Sequence, residues 1–561
     1  MQITGVNAAS ALQKLPADFA KRLWAKDPSL WKTDEGVQAT ILNRLGWLSL
    51  PDDMPKVAGL LRAFAADIRR AGFTHMVLLG MGGSSLCPEV LRRTFGALDG
   101  GLKLFVLDTT DPGQILEAEK SIPIKKTLFI VSSKSGGTIE VMSLFKYFLA
   151  KVEKAKPGAA GENFVAVTDP GTSLEKLARE KGFRKVFTTP EDVGGRFSAL
   201  TYFGLVPASL LGVDVGRLLE RAGGFARACG ADIPVEDNEA LVLGAALGLL
   251  GKAGRDKVTF VLSKEIDSFG LWVEQLVAES TGKEGRGLVP VEGETLGSPK
   301  NYGNDRVFVS LAVGGKHPAG LKALEAAGHP VVRIDLADKY DLGREFFRWE
   351  AATAAAGAAL GVNPFDEPNV SESKANTSRI LAQFEAAKKL PEETPFLKTR
   401  SVSVWADKDL RPAESLEDAV NAHLARSKAG DYVALMAYIT INPANHKALQ
   451  ILRGKIQSAT GTAVTVGYGP RFLHSTGQLH KGGEPTGLFI QITAQDAKDI
   501  EIPGAGYGFS TLKSAQALGD FQALKEHGLR SLRLHLSKVS SDLAVVAKTI
   551  RAAKGVLSKK K

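Results

Sequence analysis

Cysteine is almost absent: Cys87 and Cys229 are the only two in 561 residues. That excludes a disulfide framework and a cysteine-ligated metal, and it reads both as small buried hydrophobes. No apolar run approaches the roughly 18 residues that a bilayer span requires. Met1 to Gly5 lacks the basic and apolar regions of a secretory leader, so a cytoplasmic chain without a membrane partner is expected. Blocks of one charge are also missing. The net charge of +10 and pI near 9.2 are dispersed, with Lys559 to Lys561 the single basic run. A dispersed positive field attracts small anions, and no nucleic-acid partner is expected. The Walker spacing G-x-x-x-x-G-K-[ST] does not occur at the phosphate-like loop described below.

What is present is globular. With 44% hydrophobic and 24% charged residues the chain can bury several cores, and about 150 residues per domain suggests three or four units. Residues 1–70 carry apolar positions at helical spacing over Val6 to Leu23 and Gly36 to Leu50. From His75 a strand–helix alternation sets in, with strands expected at 75–80, 104–107, 128–131, 164–167 and 185–188. A second such unit runs over 236–390, with strands at 258–262, 306–311 and 331–336. Lys388 to Arg400, rich in lysine, glutamate and proline, reads as a linker. Five more strand-like runs follow it. The expected fold class is α/β: two doubly wound parallel sheets over 71–235 and 236–390, a third α/β region over 391–561, and an N-terminal helical segment.

Chemistry concentrates where strands end and helices begin. Thr127 to Val131 is a buried-strand run leading into Ser133, Lys134, Ser135 and Thr138 at the start of a helix. Free backbone N–H groups and the positive helix end converge there, so these hydroxyls and the ammonium form a cradle for a dianionic phosphate; an ordinary capped helix start is the competing reading. Gly80-Met-Gly-Gly83-Ser84-Ser85 lets a backbone approach a ligand closely, but it lacks the third glycine of a dinucleotide fingerprint. Asp108 and Asp111, at the end of the next strand, keep a nicotinamide-dependent enzyme as a third choice. Arg196, after Gly194 and Gly195, is placed near the sheet edge, where it meets either a ligand anion or a structural partner. Gln275 and Glu279 share a helix face. A partly buried carboxyl at a helix end suits proton transfer, although a solvated glutamate satisfies the pattern equally. Lys374 occupies a first helical turn, against the dipole. His474 and His480, six apart and without a third ligand, make a metal site unexpected and leave a proton-transfer histidine open.

Together these segments resemble the phosphoglucose isomerase family, with its two sugar-isomerase (SIS) domains, over about residues 70–390. Gly80 to Ser85, Ser133 to Thr138 and Val193 to Ser198 match its glycine–serine loop, phosphate loop and arginine signature. Glu279-Ser-Thr-Gly-Lys283 is similar to its glutamate motif, with Gln275 at the preceding glutamine. Asp366 to Lys374 is similar to its lysine motif. Several motifs, and the loop around His474, also resemble the isomerase half of transaldolase–phosphoglucose isomerase fusions, although no transaldolase half is evident. The resemblance implies cofactor-free interconversion of glucose 6-phosphate and fructose 6-phosphate by a homodimer. Mannose 6-phosphate as a further substrate and a non-catalytic phosphosugar sensor are the alternatives. It further implies Glu279 as proton shuttle, His474 with Lys374 in ring opening, Arg196 at the enediolate, a phosphate on Ser133, Lys134, Ser135 and Thr138, and substrate contacts at Gly83, Ser84, Gly195 and Gln275. Two departures stand out. The family's histidine segment is found only far downstream, at Leu473 to Gln478, so the third region must fold back onto the SIS pair or onto a neighbouring subunit. Glu367 also stands where the family has glutamine, and its carboxylate would repel a phosphorylated sugar unless it turned away.

Overall fold

The computed structural model describes residues 1–391 and 393–551, so the Lys559 to Lys561 run lies outside the described residues. Among the described residues, sixteen strands build three sheets. The first strand, β1 (Gln2–Thr4), falls in the segment expected to be helical, and it pairs antiparallel with the edge of the second sheet. The first sheet comprises β2 (His75–Gly80), β3 (Lys103–Leu107), β4 (Thr127–Ser132), β5 (Phe164–Thr168) and β6 (Lys185–Thr188), all parallel in the order β3-β2-β4-β5-β6. β4 and β5 are buried throughout, which is why they read as unbroken apolar runs: helices cover both faces.

The second sheet has β7 (Lys257–Leu262), β8 (Val289–Val291), β9 (Arg306–Val313) and β10 (Val331–Leu336), ordered β1-β10-β9-β7-β8. The third has β11 (Leu397–Lys398), β12 (Val402–Ala406), β13 (Tyr432–Tyr438), β14 (Ala463–Tyr468), β15 (Gly487–Ala494) and β16 (Arg530–Leu536). Its order is β11-β12-β16-β15-β13-β14, with β13 to β16 parallel and β11 and β12 antiparallel at one edge. β11 lies inside the stretch read as a linker. The protein is therefore α/β throughout, and no helix among the described residues is long and apolar enough to cross a membrane.

The third region is part of the first unit's core. Helix Phe509–Glu526 contributes Phe509 and Leu512 to the apolar cluster on one face of the first sheet, beside Ile380 and Leu381 from helix Val370–Ala387 of the second unit. Each large side chain buried this way is worth about 1.5–3 kcal/mol. Polar contacts lock the same joint. Arg471 grips Asp108 with two 2.7 Å bonds, Lys513 donates to Asp111 at 2.7 Å, and Thr440 donates to the other Asp111 oxygen at 2.8 Å. This removes the dinucleotide reading: the acids it needs at the end of β3 are buried and already answered by cations of the third region.

Candidate functional site

The cleft is assembled from strand ends. β2 runs into Gly82–Ser84 and β4 into the turn before helix Ile139–Ala155. A Cβ on Gly83 would run into the Gly195 carbonyl, so the glycine–serine loop and the arginine loop touch backbone to backbone, as only glycine permits. Gly82, at φ +53, packs the same way against the His474 carbonyl and Gln275. Ser84 is buried, and its carbonyl accepts a 2.9 Å bond from the Ser132 hydroxyl, which fixes one loop on the other.

Arg196 is 4% exposed, and its guanidinium is almost fully used. Nε donates to Ser280 Oγ at 2.8 Å, and one terminal nitrogen donates to the carbonyls of Pro364 and Asp366 at 2.7 and 2.8 Å. The other terminal nitrogen lies 2.9 Å from Glu367 Oε2 and 3.8 Å from Glu279 Oε2. Glu279 sits on the buried helix Phe269–Thr281, is 7% exposed, and accepts from Gln275 Nε2 at 2.9 Å. Burial pushes its carboxyl above the ordinary range; Arg196 opposes that, Glu367 reinforces it, and the outcome is a raised value. Glu367, with its side chain 46% exposed, is held low: partial burial works upward, but Arg196, with Lys283 and Arg44, more than offsets it. The carboxylate that would repel a phosphosugar has thus turned onto the arginine. Lys283, buried and bonded to Asp366 Oδ1 at 2.8 Å, is lowered to about 8 by burial and by Arg196.

The histidine end adjoins this one in the same chain. Gln275 Nε2 also donates to the His474 carbonyl at 2.8 Å, so one amide binds both ends of the cleft. The His474 ring lies 2.9 Å from Glu140 Oε1, which also accepts from Gln516 Nε2 at 2.7 Å. A cavity of about 350 Å³ opens there, lined by Ser135, Thr138, Glu140, Lys374, His474 and Gln516 among others. Ser133 lies just behind, 3.0 Å from the Thr138 hydroxyl.

A family model, phosphoglucose isomerase, matches residues 62–296. The glucose-6-phosphate isomerase of Rubrobacter xylanophilus is 30% identical over 381 residues, which is 59% of this chain and 87% of that protein. The chain belongs to the phosphoglucose isomerase family. A probable glucose-6-phosphate isomerase from Methanococcus maripaludis is 28% identical over 348 residues, 54% of this chain and 77% of that one. A crystal structure of a hypothetical protein from Thermus thermophilus superposes with a TM-score of 0.56 at 26% identity, covering 67% of this chain and 94% of the other.

Within this member of the phosphoglucose isomerase family, Gly83, Ser84, Gly195, Arg196, Gln275, Glu279 and His474 meet in one place, and Ser135, Thr138, Lys374 and His474 share the cavity. Lys134 departs from its expected place: it pairs with Asp169 and donates to the Glu191 carbonyl at 3.3 Å, away from the cavity lining. Two partners escaped the sequence. Glu140 stood next to the phosphate loop and reads as an ordinary first-turn acid, and Gln516 reads as one more polar residue on a late helix. Only the fold brings Glu140 to His474 and Gln516 to Glu140.

Proposed function

We propose that the protein reversibly isomerises glucose 6-phosphate to fructose 6-phosphate through a cis-enediolate, without a cofactor and as a homodimer. What carries this reading is the buried Glu279 carboxyl, raised above its ordinary range and poised between Gln275 and Arg196. A base with a raised pKa is matched to abstracting a proton next to a carbonyl near neutral pH. In this reading the hydroxyls of Ser133, Ser135 and Thr138 and the N–H groups opening helix Ile139–Ala155 hold the phosphate, whose remote binding energy positions the reacting carbons. Lys134 joins them only by leaving Asp169.

His474 moves the ring-oxygen proton with Lys374 beside it. The Nε2 of His474 faces the Glu140 carboxylate, so Nδ1 is the ring nitrogen through which the proton is exchanged. Glu279 then takes the C2 proton and returns it to C1, while Arg196 faces the negative charge that develops on the enediolate oxygens. Glu367 shares Arg196 in the resting site and yields its hold as that charge appears.

The test is Glu279→Gln, with turnover followed by a coupled assay on glucose 6-phosphate and mannose 6-phosphate. Turnover falls by about 10³-fold or more while phosphosugar affinity stays near wild type. A wild-type protein that binds but does not isomerise returns the chain to the sensor reading.

A further inference from the structure

A second cavity, of about 540 Å³, is walled in part by elements that also carry the cleft. Helix Leu86–Phe95 and the edge strand β3 form one wall. The face of helix Phe269–Thr281 bearing Glu274 forms another, and the carboxyl end of β14 with the loop after it closes the third. This is the size of a small-molecule site.

Its charges are unevenly answered. The three arginines in its lining are already paired: Arg92 with Glu89 at 2.7 Å, Arg93 with Asp267 at 3.2 Å and Arg471 with Asp108 at 2.7 Å. Glu274, 8% exposed, lines the cavity and makes no hydrogen bond or ion pair among the described residues, and Glu292 beside it makes none either. A carboxyl as buried as that of Glu274 is usually answered by a donor, so its lack of one among the described residues, with the half-buried Glu292 beside it, points to a cationic occupant. Burial pushes Glu274 well above its ordinary range and Glu292 adds to this, while Arg471 and Arg453 oppose it; burial raises Glu292 as well, against Arg453, Arg93, His446 and Arg471. Tyr468, bonded through its hydroxyl to His446 at 3.0 Å, adds an aromatic ring to the same lining.

We propose that this cavity binds a small organic cation bearing ammonium or guanidinium groups, held by Glu274 and Glu292, and that its occupancy alters turnover at the cleft. The second half rests on the isomerase reading above. It follows from shared walls: Gln275 succeeds Glu274 about 100° around the same helix, and His474 lies between Phe472 and Ser475, both in the cavity lining.

Calorimetric titration of the full chain with spermidine and with agmatine, against uncharged sorbitol, is the test. Saturable binding of a cation and none of sorbitol is expected, weakened about tenfold or more in Glu274→Gln and in Glu292→Gln. Should those buried variants misfold, Ser121→Trp at the exposed mouth blocks entry without touching either carboxyl, and it must lower the affinity too. No cation binding by the wild type, or equal affinity in all the variants, overturns the site. A saturating cation should change wild-type turnover about twofold or more and leave Glu274→Gln unmoved. An unmoved wild type overturns the coupling. Because binding is read as heat, its failure is distinguishable from a failure of the isomerase reading.

Discussion

Glu279 and Glu140 are both buried glutamates of the same cleft, 7% and 3% exposed, yet their carboxyls shift in opposite directions. Burial drives both upward. At Glu140 the His474 ring at 2.9 Å, with Lys374 further off, outweighs burial and brings the carboxyl below its ordinary value. At Glu279 the nearest guanidinium stands at 3.8 Å and is shared with Glu367, so burial prevails. Desolvation is common to the two; the distance and prior commitment of the cation decide the sign. One end of the cleft is thereby arranged to hold a charge and the other to exchange a proton.

Removing the cation that the glutamate end shares gives the largest effect. Arg196→Ala strips donors from Ser280, Glu367 and the Pro364 and Asp366 carbonyls. Denaturant unfolding should show a loss of about 3–5 kcal/mol, and turnover should fall about 10²–10³-fold. At the histidine end, Glu140→Gln replaces a charge-assisted contact by a neutral one and should cost about 1.5–3 kcal/mol at pH 7. Because the folded carboxyl is depressed, that contribution is present above the ordinary value of 4.5 and is lost as pH falls through the folded one. The wild type and the variant should therefore converge in stability at acid pH. The same variant should slow the cyclic substrate about 10- to 100-fold while an open-chain analogue is spared, a fraction of what a placed acid–base group supplies. Equal loss on both substrates removes His474 and Glu140 from ring opening.

Much of this comparison was legible in the sequence on one side and invisible on the other. The first two sheets announced themselves because both of their faces are covered, so strands such as Thr127–Ser132 are apolar without interruption. Arg196, Gln275 and Glu279 stand in local patterns whose geometry a helix or a tight turn nearly determines. Short edge strands such as Gln2–Thr4 carry no periodicity of their own and exist only because β10 offers an open edge. His474 was legible as a loaded loop, but its partner was not: Glu140 reaches it across 334 residues, and Gln516 reaches Glu140 across 376. Lys134 was legible as the loop's cation, but the loop pattern cannot show Asp169, which arrives from the end of β5 and pairs with the ammonium.

A smaller effect separates the two glutamates by sign. Glu279 keeps its proton more readily folded than unfolded, so the wild type loses stability as pH rises from the ordinary 4.5 through the raised folded value. Glutamine cannot ionise. Glu279→Gln should therefore melt above the wild type at pH 7 and level with it near pH 4, opposite in sign to Glu140→Gln at neutral pH. A glutamine that stabilises both positions alike at pH 7 would show that burial, not partner placement, governs the pair.

The smallest expected effect tests what Glu367 does to its neighbour. Its carboxylate raises the Glu279 carboxyl directly, and it also holds the Arg196 nitrogen that stands 3.8 Å from Glu279 Oε2. Glu367→Gln removes the negative charge and loosens that hold, and both changes favour the ionised form of Glu279. The acidic limb of kcat/KM, which reports the free enzyme, should then move to lower pH, with turnover on the neutral plateau unchanged. Were the limb to stay in place, Arg196 would be fixed by its carbonyl partners alone. The raised carboxyl of Glu279 would then follow from burial, with no contribution from the acid that replaces the family's glutamine.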